Sequence, residues 1–125
     1  MILTDTHSHL YDAKFAEDRT AMISRAFEEN VQRIFIPNVD QHTVKGMMDI
    51  VAAHPQKCFP MMGLHPCHVK EDFKAELAVL KTHLDSGGFC AVSASWLAAH
   101  GCPAKALMSF VGAPASSHGR GGGEL

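Results

Sequence analysis

No apolar run in the 125-residue chain approaches the roughly 20 residues of a membrane span, and the first 25 residues carry Asp5, Asp12, Glu17 and Asp18 instead of a signal-peptide core. These features predict a protein that stays where it is made, in the cytoplasm, with the nucleus as the alternative compartment. Basic charge is not in excess either. Eleven Lys and Arg stand against 13 Asp and Glu, for a net charge of −2, so no bulk field draws the chain onto nucleic acid and any such contact has to be local. Cys58, Cys67, Cys90 and Cys102 include no CxxC pair and form no dense disulfide framework, which fits a reducing compartment. No GxGxxG or GxxxxGK[ST] loop follows any apolar segment, so a nucleotide cofactor loses its main support.

What is present divides near position 93. Residues 1–92 hold 21 of the 24 charged side chains, whereas the last 33 residues have only Lys105, Arg120 and Glu124. In that last part Gly, Ala, Ser and Pro total 20, and it closes in ASSHGRGGGEL. Such a segment has little amphipathic pattern to bury, and 93–125 is read as a flexible Ala/Gly/Ser-rich tail in which Trp96–Ala99 can pack locally.

Within residues 1–92 the apolar period alternates between two kinds of segment. Ile2–Asp5, Arg33–Pro37, Cys58–Leu64 and Phe89–Val92 read as strands. Glu17–Glu29 sets Met22, Ile23, Ala26 and Phe27 on one face, with Asn30 where a left-handed terminal residue belongs. Gln41–His54 places Val44, Met47, Met48 and Val51 at helical spacing before Pro55, and Glu71–Leu84 aligns Phe73, Leu77, Leu80 and Leu84. The order βαβαβαβ predicts an α/β fold with a parallel sheet and right-handed crossovers, either a barrel or an open doubly wound sheet.

Two histidine groups fall at strand ends. His7 and His9 are two residues apart, a spacing that turns both rings to one face of a strand, and Asp5 is placed to orient a ring nitrogen. With 9 His in 125 residues, an HxH pair also arises by chance on the order of 0.6 times, so position carries more weight than spacing. The second group, Gly63-Leu64-His65-Pro66, puts His65 on the same rim, as a chemical group or as a loop histidine capping a turn. His42, His54 and His83 at helix ends read as solvated surface residues. Cys58 and Cys90, inside strands, read as small buried apolar groups.

Asp5-Thr6-His7-Ser8-His9-Leu10 followed by Gly63-Leu64-His65-Pro66 resembles the TatD family of metal-dependent deoxyribonucleases, whose members are similar to amidohydrolases. The resemblance covers residues 2–92. It implies the first four strands of a TIM (β/α)8 barrel, of which residues 1–92 form a part. It makes His7 and His9 ligands of a divalent metal (Mg, Mn or Zn), sets His65 beside a substrate phosphate, and gives Asp5 a supporting role. In the family two cations clamp a DNA phosphodiester, and the metals supply the positive charge that the surface lacks.

The chain departs from that pattern after Val92. Where the family continues into a Gly-Glu-Ile-Gly-Leu-Asp-like motif, Ser93-Ala94-Ser95-Trp96 stands here, without the bridging glutamate or the later ligands. A frameshift, alternative splice or truncated gene model at that point is the expectation, with metal binding weakened accordingly. Three functions stay open: a TatD-like hydrolase cleaving DNA, a catalytically inactive fragment that self-associates through an open sheet edge, and an amidohydrolase-like enzyme acting on a small ester or amide.

Overall fold

The computed structural model describes residues 1–92; the expectations for 93–125 lie outside the described residues. Strand β1 (Leu3–Asp5) leads through a loop to α1 (Arg19–Glu28), then β2 (Val31–Pro37), α2 (Val44–Ala53), β3 (Cys58–Met62), α3 (Phe73–Asp85) and β4 (Ala91–Val92). All neighbouring strands pair in parallel, in the order β1-β2-β3-β4. A doubly wound sheet reverses its strand order at a switch point, and this sheet does not. The four strands form the half-barrel of the N-terminal part of a TIM barrel. No described helix is long and apolar enough to cross a membrane.

The alternation along β2 and β3 decides which face is covered. Ile34, Ile36, Cys58 and Met62 are buried on one side, and the same period carries Pro60. Ile23 of α1 and Met47 and Ile50 of α2 pack on Ile34, Ile36 and Cys58. Val44, Leu77 and Leu80 close a second cluster with Met62 and Leu64. On the opposite face Phe35 and Phe59 are register partners, half-buried, with ring centroids 5.5 Å apart. Burying the side chains of one such cluster is worth about 1.5–3 kcal/mol each, so the helix-covered face dominates the stability of the described part.

The segment boundaries shift for local reasons. Asn30 has φ 66°, ends α1 as expected, and accepts the backbone N–H of Leu3, which ties β1 to the start of β2. Strand β2 starts earlier than expected, at Val31. Helix α2 starts at Val44 instead of Gln41, because Asp40 Oδ1 accepts the N–H groups of His42 and Thr43 at 3.0 Å each and holds 41–43 in a turn. Strand β4 is two residues, not four. Gly87 and Gly88, at φ 85° and 92°, make the left-handed exit from α3, and Phe89 packs against both apolar clusters. Cys90 then lies just ahead of β4 and is exposed, not buried in a strand, while Cys58 is buried as expected.

Candidate metal centre and its rim

The chemistry-bearing residues gather where β1, β2 and β3 end. His7 and His9 follow β1 by two and four residues, and their Nε2 atoms approach to 3.0 Å with the rings nearly perpendicular, at 80°. Two nitrogens at that separation, each about 2.1 Å from a shared ion, subtend roughly 90° at it, an angle a divalent cation accommodates.

The tautomer of His9 follows from its neighbours. Tyr11 donates its hydroxyl proton to the Pro37 carbonyl at 2.6 Å, so its oxygen is free to accept. His9 Nδ1 lies 2.7 Å from that oxygen and 3.1 Å from the Pro37 carbonyl, and serves both as the N–H donor. The lone pair is left on Nε2, toward His7. Burial first, and then the proximity of His7, lower the pKa of His9, which keeps the imidazole neutral as ligation requires. Burial pushes the Tyr11 hydroxyl up to about 12, so it remains a phenol. The donor set therefore fits a divalent cation. Among the described residues no group of three or more His, Cys, Asp or Glu gathers around one point, and these two imidazoles are the candidate ligands.

The loop that carries them is held from below. Arg19, at the start of α1, donates from Nε to the Leu10 carbonyl at 2.8 Å and from Nη2 to those of Tyr11 and Asp12 at 3.1 and 3.0 Å. Asp5 is also at the site, but its Oδ1 accepts the backbone N–H of His7 at 3.0 Å. It shapes the turn, and the ring support expected of it falls to Tyr11 and Pro37 for His9.

The GLHP segment is wired to the end of β2. Asn38, 2% exposed, accepts the Gly63 N–H on Oδ1 at 2.6 Å and donates from Nδ2 to the Asp40 carbonyl at 3.1 Å. His65 donates its backbone N–H to the Val39 carbonyl, and its Nδ1 accepts the Cys67 N–H at 3.2 Å at the head of a short 3-10 turn, Pro66–His68. The capping role and the rim position thus coincide in one residue. His65 is close enough to depress His9 further. His68 joins the rim through Asp40, Nδ1 to Oδ2 at 2.9 Å.

His9, Tyr11, Asp12, Val39, His42 and His68 line a cleft of about 470 Å³ beside these rings. His42, expected as a solvated residue at a helix end, is exposed but sits in the turn ahead of α2 and faces this cleft. His54 and His83 lie away from it; His54 packs edge-on to Phe27 at 5.2 Å. Tyr11, Arg19, Asn38 and Asp40 are the rim residues that the sequence reading did not single out. The signals available were slight: the Asp40-x-x-Thr43 capping pattern and an asparagine immediately after a strand.

A half-barrel whose chemistry-bearing residues lie past the C-terminal ends of its strands places its candidate site where TIM-barrel enzymes carry theirs. The family model for TatD related DNases matches residues 4–95, and the chain belongs to that family. The match ends close to the composition change at 93. The chain is 30% identical over 82 residues to an uncharacterized metal-dependent hydrolase of Haemophilus influenzae, covering 64% of this chain and 31% of that protein. It is 29% identical over 80 residues to the uncharacterized metal-dependent hydrolase YabD of Bacillus subtilis, covering 64% and 31%. It is 27% identical over 88 residues to the 3'-5' ssDNA/RNA exonuclease TatD of Erwinia tasmaniensis, covering 70% and 34%. The chain spans about a third of the length of these relatives.

Proposed function

We propose that residues 1–92 carry the first metal-binding half of a hydrolase that cleaves nucleic-acid phosphodiester bonds. The observation that carries the reading is the convergence of His7 and His9 Nε2 at 3.0 Å, with the His9 proton held on Nδ1 by Tyr11 and Pro37. A cation bound there supplies a Lewis acid and acidifies coordinated water. His65, whose Nδ1 is occupied by the Cys67 N–H, offers an Nε2–H to a phosphate oxygen on the same rim. Asp5 and Arg19 hold the loop in shape. The name of the Erwinia relative supports a DNA or RNA strand as substrate.

With two ligands among the described residues, the chain is expected to bind Zn²⁺ or Mn²⁺ weakly, with a nuclease rate no higher than a metal-only control. Calorimetry of the chain and of a His7→Ala/His9→Ala variant tests the site: heat lost in the variant supports it, and unchanged binding moves the metal elsewhere. A metal-dependent rate abolished by His7→Ala would show that the chain is an active nuclease by itself.

A second reading, an inactive chain that associates with itself, is favoured by the exposure of β1 and its approach: Met1, Ile2 and Leu3 are 97%, 69% and 40% exposed. Sedimentation at micromolar concentration decides it, since a monomer sinks that reading.

A further inference from the structure

The described sheet ends in two open edges. In the order β1-β2-β3-β4, the outer edges of β1 and β4 have no strand beside them among the described residues, and each presents unpaired backbone N–H and C=O groups. Because every strand runs in the same direction, the free edge of β4 can take β1 of another copy in parallel, as β3 takes β4 within the chain. Such a head-to-tail contact builds either an open filament or a closed ring, and the register decides which.

Asp5, the last residue of β1, is level with Ile34, and β2 runs three residues further to Pro37. Pro37 is level with Met61, β3 ends one residue later at Met62, and Met62 is level with Val92, the last residue of β4. Three residues and then one make a climb of four in the C-terminal strand ends from β1 to β4. An eight-stranded barrel of this class closes with a shear of about 8, so half of its circuit takes up about four. The four described strands carry that stagger in full. Beside β4, the first strand of a second copy then needs no further offset: Val92 comes level with Asp5 of the second copy, and Ala91 with its Thr4.

The inner face supplies what closure would bury. Phe35, Phe59 and Met61 are half-buried on the side away from the helices, and Thr4 and Ala91 are exposed on the same face at its two edges. Ile2 and Leu3, 69% and 40% exposed, add apolar surface along the β1 edge. The interior of such a barrel is a packed core of layered bulky side chains, which four strands cannot enclose and eight can. Arg33, also exposed, precedes Phe35 on this face, toward the N-terminal mouth where water reaches it.

We propose that two copies of the 125-residue chain close a (β/α)8 barrel about a two-fold axis, β4 of each pairing in parallel with β1 of the other, with Phe35, Phe59 and Met61 of both copies filling the interior. Rotation about the barrel axis keeps all eight strands parallel, so both His7–His9 pairs open on the same mouth. The inference rests on the self-association reading above and adds to it the surface, the register and a stop at two copies.

The test uses the full 125-residue chain. Sedimentation across micromolar concentrations is expected to show a dimer of twice the 13.5 kDa chain mass, with no larger species. Hydrogen exchange on the unaltered chain should show the amides of Thr4 and of Ala91–Val92 losing protection together on dilution. Thr4→Lys and Ala91→Asp each place a charge in the closed interior from a position that is exposed in the single chain. Either alone should weaken the dimer by about a hundredfold with circular dichroism unchanged, and an equimolar mixture of the two variants should recover most of the affinity, because one edge then sets the new ammonium beside the new carboxylate. A dimer indifferent to both substitutions, or one that the mixture does not restore, overturns the barrel and leaves self-association through another face. A growing series of larger species does the same, since it means open-ended pairing. A monomer at every concentration overturns both readings, and protected β1 and β4 amides in that monomer would identify residues 93–125 as the cover.

Discussion

Replacing Asn38 by Ala removes the cross-tie between the ends of β2 and β3. Two bonds are lost, the 2.6 Å bond from the Gly63 N–H and the 3.1 Å bond to the Asp40 carbonyl. They are not equivalent. Gly63 is buried, and so is residue 38 at 2% exposure, so water cannot replace the lost acceptor without opening the rim. Leaving that donor unpaired costs about 1–3 kcal/mol, and the second bond adds about 1 kcal/mol, for a total of roughly 2–4 kcal/mol. That is a large share of the roughly 5–15 kcal/mol that stabilises an ordinary domain. With a urea slope near 1.5 kcal/mol per molar, the midpoint should fall by roughly 1–3 M. Amide hydrogen exchange gives the local readout: Gly63 should lose protection beyond the global change, because its N–H has no alternative partner in the strand ladder. A midpoint within about 0.3 M of the parent, with the Gly63 amide still protected, would refute the reasoning.

Tyr11→Phe should weaken Zn²⁺ or Mn²⁺ binding by about tenfold or more, read by calorimetry, since the His9 ring keeps only its 3.1 Å contact to Pro37. Arg19→Ala should cost about 1.5–3 kcal/mol of stability and raise exchange along Leu10–Asp12, because three carbonyls lose a charged donor; an unchanged melting curve and exchange pattern would argue that the loop is held otherwise. Cys67 should alkylate rapidly at pH 8 while Cys58, buried with its thiol pushed up to about 11, stays unmodified in the folded chain, as mass spectrometry of digests can report. The sign for stability follows: the folded state holds the Cys58 proton more tightly than the unfolded state, so its contribution is complete below about pH 9 and is lost as pH rises toward 11. A denaturation midpoint that rises over that interval for the parent relative to Cys58→Ala contradicts this.

Much of the architecture is written in local pattern. Met22, Ile23 and Phe27 of the first expected stripe and Phe73, Leu77, Leu80 and Leu84 of the third lie in the core clusters on the sheet, with Ile50 of α2 a further buried position outside the expected set. A helix or strand buries a face whose period is carried within a dozen residues, so composition along the chain suffices to find it. The parallel order follows from alternation as well, and the HxH and GLHP motifs carry the likeness to the TatD family, since they pair a chemical residue type with a position just past a strand.

Periodicity by itself left barrel and open sheet alike and the family resemblance pointed to the barrel; tertiary structure shows the strand order and decided the wiring of the rim. The strand order β1-β2-β3-β4 is a property of how crossovers pack in space, and both windings share the same sequence of elements. The partner of Tyr11 is a carbonyl 26 positions away, that of Gly63 an asparagine 25 away, and that of His68 an aspartate 28 away. Hydrogen bonds at such separations leave no periodic trace, because each depends on where two strand ends meet and not on the residues around either one. The same physics explains Asp5. A carboxylate two residues before a histidine can serve its ring or its backbone equally well in the sequence, and the turn after β1 brought the backbone N–H within 3.0 Å.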